Sequence, residues 1–376
     1  MEKECMESKG SFSRRDFFKT AALGAAVYAA GKYLRPSPSH AAVQEGKWWR
    51  AGENWIVDAA KYKKKPPYRI GVFASYLEGT WMSMYAKHIE YEAKVRQKDL
   101  IKELLILNAS TEIRKQIEDI KDIVAKGIDG IIVDALSPTA LVPVCREVMK
   151  KGIPVIISKN FLEGDDFVQL ANDDGVGFGI HGGKWLVEQR NGKGKIIIIR
   201  GVPGYGVDIE RYEGATRIFK QHPGIEIVGE EHGYWTVEKG KEVSKALLAA
   251  NPKIDGAWTA GGQMARGLVM SLIEAKRDMI PIASEDENGF CKLWKKYKSQ
   301  GLESIATAKP VWQGAYALQS MLWVLQGCSV QHRVIFPAAV FGWDELDNYV
   351  RPDLPDDVWL TNTLPEDILR EMFKGR

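Results

Sequence analysis

The sequence predicts an α/β protein built from two doubly wound, parallel-sheet (Rossmann-like) lobes. Short apolar runs alternate with helical stretches from Tyr68 onward: "YRIGVFAS", "ELLILNAS", "GIDGIIVDA" and "IPVIISKN". A second series opens at "FVQLAND" and continues through "KIIIIRG", "IEIVGEE", "IDGAWTAG" and "IPIASED". These runs are apolar throughout, not at every second residue, which marks strands covered on both faces and hence parallel sheets flanked by helices. Once residues 1–41 are set aside, roughly 335 residues remain, too many for one ordinary core.

Residues 1–41 read as an export signal. Arg14 and Arg15 precede an apolar run from Thr20 to Ala30 that falls far short of the ~20 residues a spanning helix needs. Ser39-His40-Ala41 follows as a small-x-small cleavage site. "SRRDFFK" is similar to a twin-arginine motif, which implies a periplasmic or extracytoplasmic protein exported by the twin-arginine route. Residues 42–67 read as an extended leader, with Trp48, Trp49 and Trp55 docking it onto the body.

Each strand is followed by one helical segment. Gly79–Gln97 is helical, and Ile113, Ile117, Ile120 and Val124 share the face of the next helix. Another helix starts near Pro138. After Glu345 the alternation stops, and the remainder reads as a tail with one short helix opened by Pro365 and Glu366-Asp367. Ligands of doubly wound sheets gather at strand carboxyl ends. Here those ends are Ser75, Asp134, Lys159-Asn160, Asp173, Trp235, Gly261-Gly262 and Asp286.

Composition narrows the function. The chain carries a net charge of +3, and residues 1–41 hold seven basic against four acidic residues, so the rest is close to neutral. That excludes a phosphate-tracking surface, and with it nucleic acid as a partner. Cys145, Cys291 and Cys328 lie far apart in apolar helical sequence and read as buried free thiols. The histidines offer no HxH or HExxH spacing, so no metal is expected. GxSxG is absent, and nothing points to catalysis. "GFGIHG" (177–182) matches GxGxxG but falls after Asp173-Asp174, inside a helix, and the next strand ends in Arg200 instead of an acid. Close helix packing explains those glycines.

Several segments in order carry a resemblance: "VFASYLEGTWM", "IEDIKDIVAKGIDGIIVDALSPTAL", "KKGIPVIISKN", "GYGVDIERYEGATRIF" and "LAANPKIDGAWTAGGQMARG". From about Tyr68 to Trp343 the chain resembles the sugar-binding periplasmic proteins of ABC importers, of the ribose/galactose-binding type (type 1). The resemblance implies two lobes, 68–171 plus 309–338 and 172–308 plus 339–376, joined by a three-segment hinge that closes on a small polar ligand. Its crossings are expected near 161–172, 286–309 and 336–342. The implied function is a non-enzymatic, monomeric, cofactor-free receptor that delivers a sugar, polyol or sugar acid to an ABC permease. Ligand contacts are implied at Ser75, Trp81, Met82, Asp134, Lys159, Asn160, Arg211, Trp235, Gly261 and Asp286. Arg and Asp supply charge-assisted bonds to hydroxyls, and the aromatic faces cover the C–H face of a sugar.

The chain departs from the family pattern at three places. Lys159-Asn160 replaces an Asp-Arg pair, Gly261 an Asn, and Ala308 a Gln. These changes imply a larger, deoxygenated or acidic ligand, with Lys159 facing a carboxylate. The alternative readings are an exported NAD(P)-dependent oxidoreductase or a periplasmic sensor subunit. A repressor of similar two-lobed fold would need a helix-turn-helix where the export signal stands.

Overall fold

The computed structural model describes residues 55–374. The twin arginines Arg14 and Arg15, the Ser39-His40-Ala41 site, Trp48 and Trp49 lie outside that range.

The chain begins with β1 (Ile56–Val57), β2 (Tyr68–Ala74), α1 (Thr80–Tyr91), β3 (Ile101–Asn108) and α2 (Ile113–Ala125). It continues through β4 (Gly130–Val133), α3 (Val142–Lys150), β5 (Val155–Ser158) and β6 (Gln169–Asp173). Next come α4 (Gly175–Gln189), β7 (Gly194–Arg200), α5 (Gly206–Lys220), β8 (Ile225–His232), α6 (Val237–Ala250) and β9 (Gly256–Thr259). Then follow α7 (Gly262–Glu274), β10 (Ile282–Glu285), α8 (Asn288–Tyr297) and β11 (Ser304–Ala308). The last elements are α9 (Gln313–Leu325), β12 (Val330–Gln331), β13 (Arg333–Phe336), β14 (Ala339–Phe341), α10 (Leu346–Tyr349) and α11 (Glu366–Met372).

These elements divide into two compact units. Unit 1 runs to Asp173 and takes back Val311–Phe336; unit 2 is Asp174–Pro310 with the chain from Pro337 on. The sheet of unit 1 has the order β13-β6-β5-β4-β2-β3, with every neighbouring pair parallel. Strand alternation sorts its core onto two faces. Phe73, Ile131, Val133, Val155 and Ile157 meet Ile120 and Val124 of α2 and Val144 and Val148 of α3. Ile70, Val72, Ile132 and Ile156 meet Met82, Tyr85 and Ile89 of α1 and Leu318 and Met321 of α9. "FVQLAND" differs from its expected place at the head of the second series. As β6 it is held between β5 and β13 in the first sheet, and the return segment that supplies β13 lies about 160 residues later.

Part of the leader docks on unit 1. β1 pairs antiparallel with β12, and the Trp55 ring stacks on His332 at 3.9 Å. Of the cysteines, Cys145 and Cys291 are buried free thiols. Cys328 corrects the sequence reading, because it is disulfide-bonded.

In unit 2 the order is β14-β11-β10-β9-β7-β8, parallel except for β14, which runs antiparallel beside β11. Asp174 caps α4 by accepting from the Gly177 N–H at 2.7 Å. Gly177–Gly182 therefore lies inside the helix, and no glycine-rich turn is left there to cradle a pyrophosphate. Gly179 and Gly214 instead let α4 and α5 touch backbone to backbone. A Cβ on Gly179 would lie 2.0 Å from the Arg211 carbonyl oxygen, and one on Gly214 2.1 Å from that of Val176. Among the described residues no helix is long and apolar enough to cross a membrane, and no cluster of His, Cys, Asp and Glu is suited to a metal.

Candidate ligand-binding site

Each sheet reverses its strand order once, and each reversal has a polar group above it. In unit 1 the reversal lies between β2 and β4, the position where open α/β sheets bind ligands. The residues following β2, β4 and the neighbouring β5 are Ser75, Asp134 and Lys159-Asn160, so three strand ends converge. Asp134 is the hub. Its Oδ2 accepts from the Ser75 N–H (3.1 Å), the Ser75 hydroxyl (2.5 Å) and the Lys159 ammonium (2.7 Å). Its Oδ1 accepts from the Asn160 amide at 2.6 Å.

Lys159 also reaches Ser75 Oγ at 3.2 Å and lies 3.1 Å from Met82 Sδ. The Tyr76 and Trp81 rings face its ammonium at 4.7 and 5.9 Å. Trp81 is half-buried and stacks on Tyr85, whereas Met82 is buried beneath the lysine. Lys159 holds φ +71°, a left-handed conformation that costs a non-glycine residue about 1–3 kcal/mol and clusters at functional sites. Lys159 and Asp134 are 2 % and 1 % exposed, so the buried pair is neutral as a whole. In the folded chain the carboxylate that Lys159 meets is that of Asp134, at 2.7 Å.

In unit 2 the reversal lies between β7 and β9. Arg211 projects from α5 and donates to the Ala260 carbonyl at 2.5 Å and to Glu285 at 2.6 Å, with its guanidinium 3.8 Å from the Phe178 ring. Trp235 donates from Nε1 to the same Ala260 carbonyl at 3.0 Å, and Tyr205 meets its ring edge-on. Tyr234 and Trp235 both adopt left-handed φ, +55° and +53°, which turns the indole back over the sheet. It fits there because two glycines make room: a Cβ on Gly201 would lie 2.1 Å from the indole, and one on Gly261 2.5 Å from it. Gly261 therefore contributes space, and the indole fills the volume that an Asn side chain would need.

Asp286 does not join this group. It is fully buried, and its Oδ2 accepts from the Thr361 N–H at 2.8 Å and from the Thr361 hydroxyl. The acid beside Arg211 is Glu285, one residue earlier. Consecutive strand residues face opposite sides of a sheet, so that single step moves the carboxylate from the α5 side to the side where the tail docks. The same parity was legible in "IPIASED", where Glu285 shares the phase of the core residue Ala283. Ala308 closes β11 as a buried apolar residue.

The tail is held by the residues after β10. Glu287 bridges Trp359, and the Asn288 amide donates to the Arg351, Leu354 and Pro355 carbonyls. Arg266 pairs with Glu287, Asp356 and Asp357. Burial, with help from neighbouring Glu285, pushes Asp286 up to about 7. Burial also pushes Glu287 up to about 8, against the opposing pull of Arg266. Folded protein thus keeps protons that an unfolded chain releases above about pH 4. The stability these carboxyls contribute is greatest at low pH and declines as pH rises through 7 and 8. His88, lowered to about 4 by burial, works in the opposite direction below pH 6.5, so a difference measurement isolates the acids. Relative to Asp286→Asn/Glu287→Gln, the wild-type melting temperature should fall by several degrees between about pH 5.5 and 8.5. A pH-independent difference would show that these two carboxyls titrate alike in both states.

Residues 70–328 match the family described as a periplasmic binding protein domain. The chain belongs to that family. A periplasmic binding protein has an extracytoplasmic location. The xylitol-binding protein of Mycolicibacterium smegmatis is 26% identical over 185 residues, which cover 49% of this chain and 53% of that relative. The ribose import binding protein of Bacillus subtilis is 23% identical over 273 residues, 73% of this chain and 87% of the relative. An ABC transporter solute-binding protein of Thermobispora bispora superposes with a TM-score of 0.72 at 20% identity, over 82% of this chain and 95% of that one. These relatives are named as binding proteins, not as enzymes.

Proposed function

We propose that this binding protein captures a small polyhydroxy solute, a sugar or polyol, and delivers it to an ABC permease after export by the twin-arginine route. The observation that carries the reading is the Asp134 hub: a buried, pre-ordered set of donors and acceptors above the strand reversal of unit 1. Such a set matches hydroxyl groups, which donate and accept at once. Ser75, Asp134, Lys159 and Asn160 hold hydroxyls there, Met82 supports Lys159, and Trp81 covers an apolar sugar face. In unit 2 the same roles fall to Arg211, Glu285 and Trp235, with Gly261 clearing the space for the indole. The neutrality of the Lys159–Asp134 pair favours an uncharged solute, as do relatives named for xylitol and ribose.

Melting the protein against xylitol, D-ribose, L-arabinose, myo-inositol and D-ribonate tests this. A bound solute at 100 times its Kd should add about 2.7 kcal/mol of stability. No shift with any of them would overturn the reading. The export route has its own test. Arg14→Lys with Arg15→Lys should leave the protein in the cytoplasm, whereas unchanged export would mean that the paired arginines are incidental.

A further inference from the structure

Gln313 opens α9 and is 0 % exposed, yet neither its Nε2 nor its Oε1 has a partner among the described residues. Leaving a buried amide unmatched costs free energy that an apolar residue of the same shape would not. A persistent mismatch of this kind points to a group that arrives from outside the chain.

The neighbours of Gln313 place it at the carboxyl edge of the unit 1 sheet. Gly314 packs so closely on α1 that a Cβ would lie 2.9 Å from the Tyr85 carbonyl oxygen. The Tyr85 hydroxyl in turn meets Ser158 Oγ at 3.0 Å, one residue before Lys159. On the other side Trp312 packs edge-on against Phe336 at 4.9 Å, and Phe336 pairs with Asp173 at the end of β6. The residues on either side of Gln313 thus reach towards the ends of β5 and β6, the sheet edge that also carries Lys159-Asn160.

A second unmatched atom lies in the hub itself. The Asn160 amide nitrogen donates to Asp134 at 2.6 Å, which fixes the orientation of that side chain, and its Oδ1 is buried with no donor among the described residues. A carboxylate has no hydrogen to offer that oxygen or Gln313 Oε1. A hydroxyl does, and the same hydroxyl can accept from Gln313 Nε2.

We propose that Gln313 is a ligand-contacting, specificity-determining residue, and that with Asn160 it selects a neutral polyhydroxy ligand over a sugar acid. The inference rests on the solute-binding reading above and names the ligand class that this reading leaves broad.

The test is calorimetric titration of the whole protein and its Gln313→Met variant with xylitol, D-ribose and D-ribonate, together with melting of both unliganded proteins. Methionine keeps the length of glutamine and removes the unmatched amide. The expected result is a roughly 5- to 50-fold rise in Kd for the neutral ligand, with an unliganded melting temperature that holds or rises. Wild-type protein should also bind D-ribose more tightly than D-ribonate. Affinity within twofold of wild type would overturn the assignment and leave the solute-binding reading standing. A variant that melts earlier or fails to fold would overturn it too, since the amide would then serve the fold. Preference for D-ribonate would overturn the selection of neutral ligands. Wild-type protein that binds none of the three would remove the solute-binding reading and this inference together.

Discussion

Asp134→Ala should destabilise the unliganded protein by about 3–5 kcal/mol and abolish solute binding. Removing one member of a buried ion pair leaves the other charge uncompensated, and Lys159 is only 2 % exposed. Ser75 and Asn160 lose their acceptor in the same step. At about 2–4 °C per kcal/mol for a domain of this size, the melting temperature should drop by roughly 6–20 °C. The double variant Asp134→Leu/Lys159→Met should recover much of that loss, because apolar residues of similar volume replace buried pairs at little cost. It should not recover binding. A single-variant loss below about 1 kcal/mol would mean that Lys159 finds another carboxylate or reaches water.

Arg211→Ala should act twice. The guanidinium is 1 % exposed, paired with Glu285, bonded to the Ala260 carbonyl and stacked on Phe178. Its removal leaves Glu285 as a buried charge, at a cost of about 3–5 kcal/mol to the empty protein. It also frees the carbonyl that anchors Trp235, so the indole loses its seat. Charge-assisted bonds to a ligand hydroxyl contribute about 1.5–3 kcal/mol, and affinity should therefore fall about 10- to 150-fold. Glu213, on the same helix, pairs with Arg217 one turn on, so Glu285 is the acid that meets Arg211. Arg211→Met/Glu285→Leu separates the two roles. Near-normal stability with lost binding assigns the pair to the ligand, and binding kept within twofold assigns it to the fold alone.

The sequence by itself determined the layered architecture, because apolar runs bounded by helical periodicity are a local signal that survives in any tertiary context. The same signal placed Ser75, Asp134 and Lys159-Asn160 at strand ends, and Asp174 ahead of "GFGIHG" was enough to put those glycines inside a helix. Only the tertiary structure decided who meets whom. Glu285 reaches Arg211 across 74 positions and Trp235 bonds a carbonyl 25 positions away. The indole also needs two glycines, Gly201 and Gly261, just beyond the ends of strands that are neighbours only in the folded sheet. The partner of Asp286 was hidden for the same reason. Its carboxylate is claimed by Thr361, 75 positions away in a tail with no strand pattern, although the parity of "IPIASED" already put Glu285 and Asp286 on opposite sides. Gln313 is the extreme case, since its residue type is ordinary at a helix start and only complete burial reveals an amide without a partner among the described residues. Periodicity is written into neighbouring residues, whereas partnership depends on contacts that form only when distant segments pack.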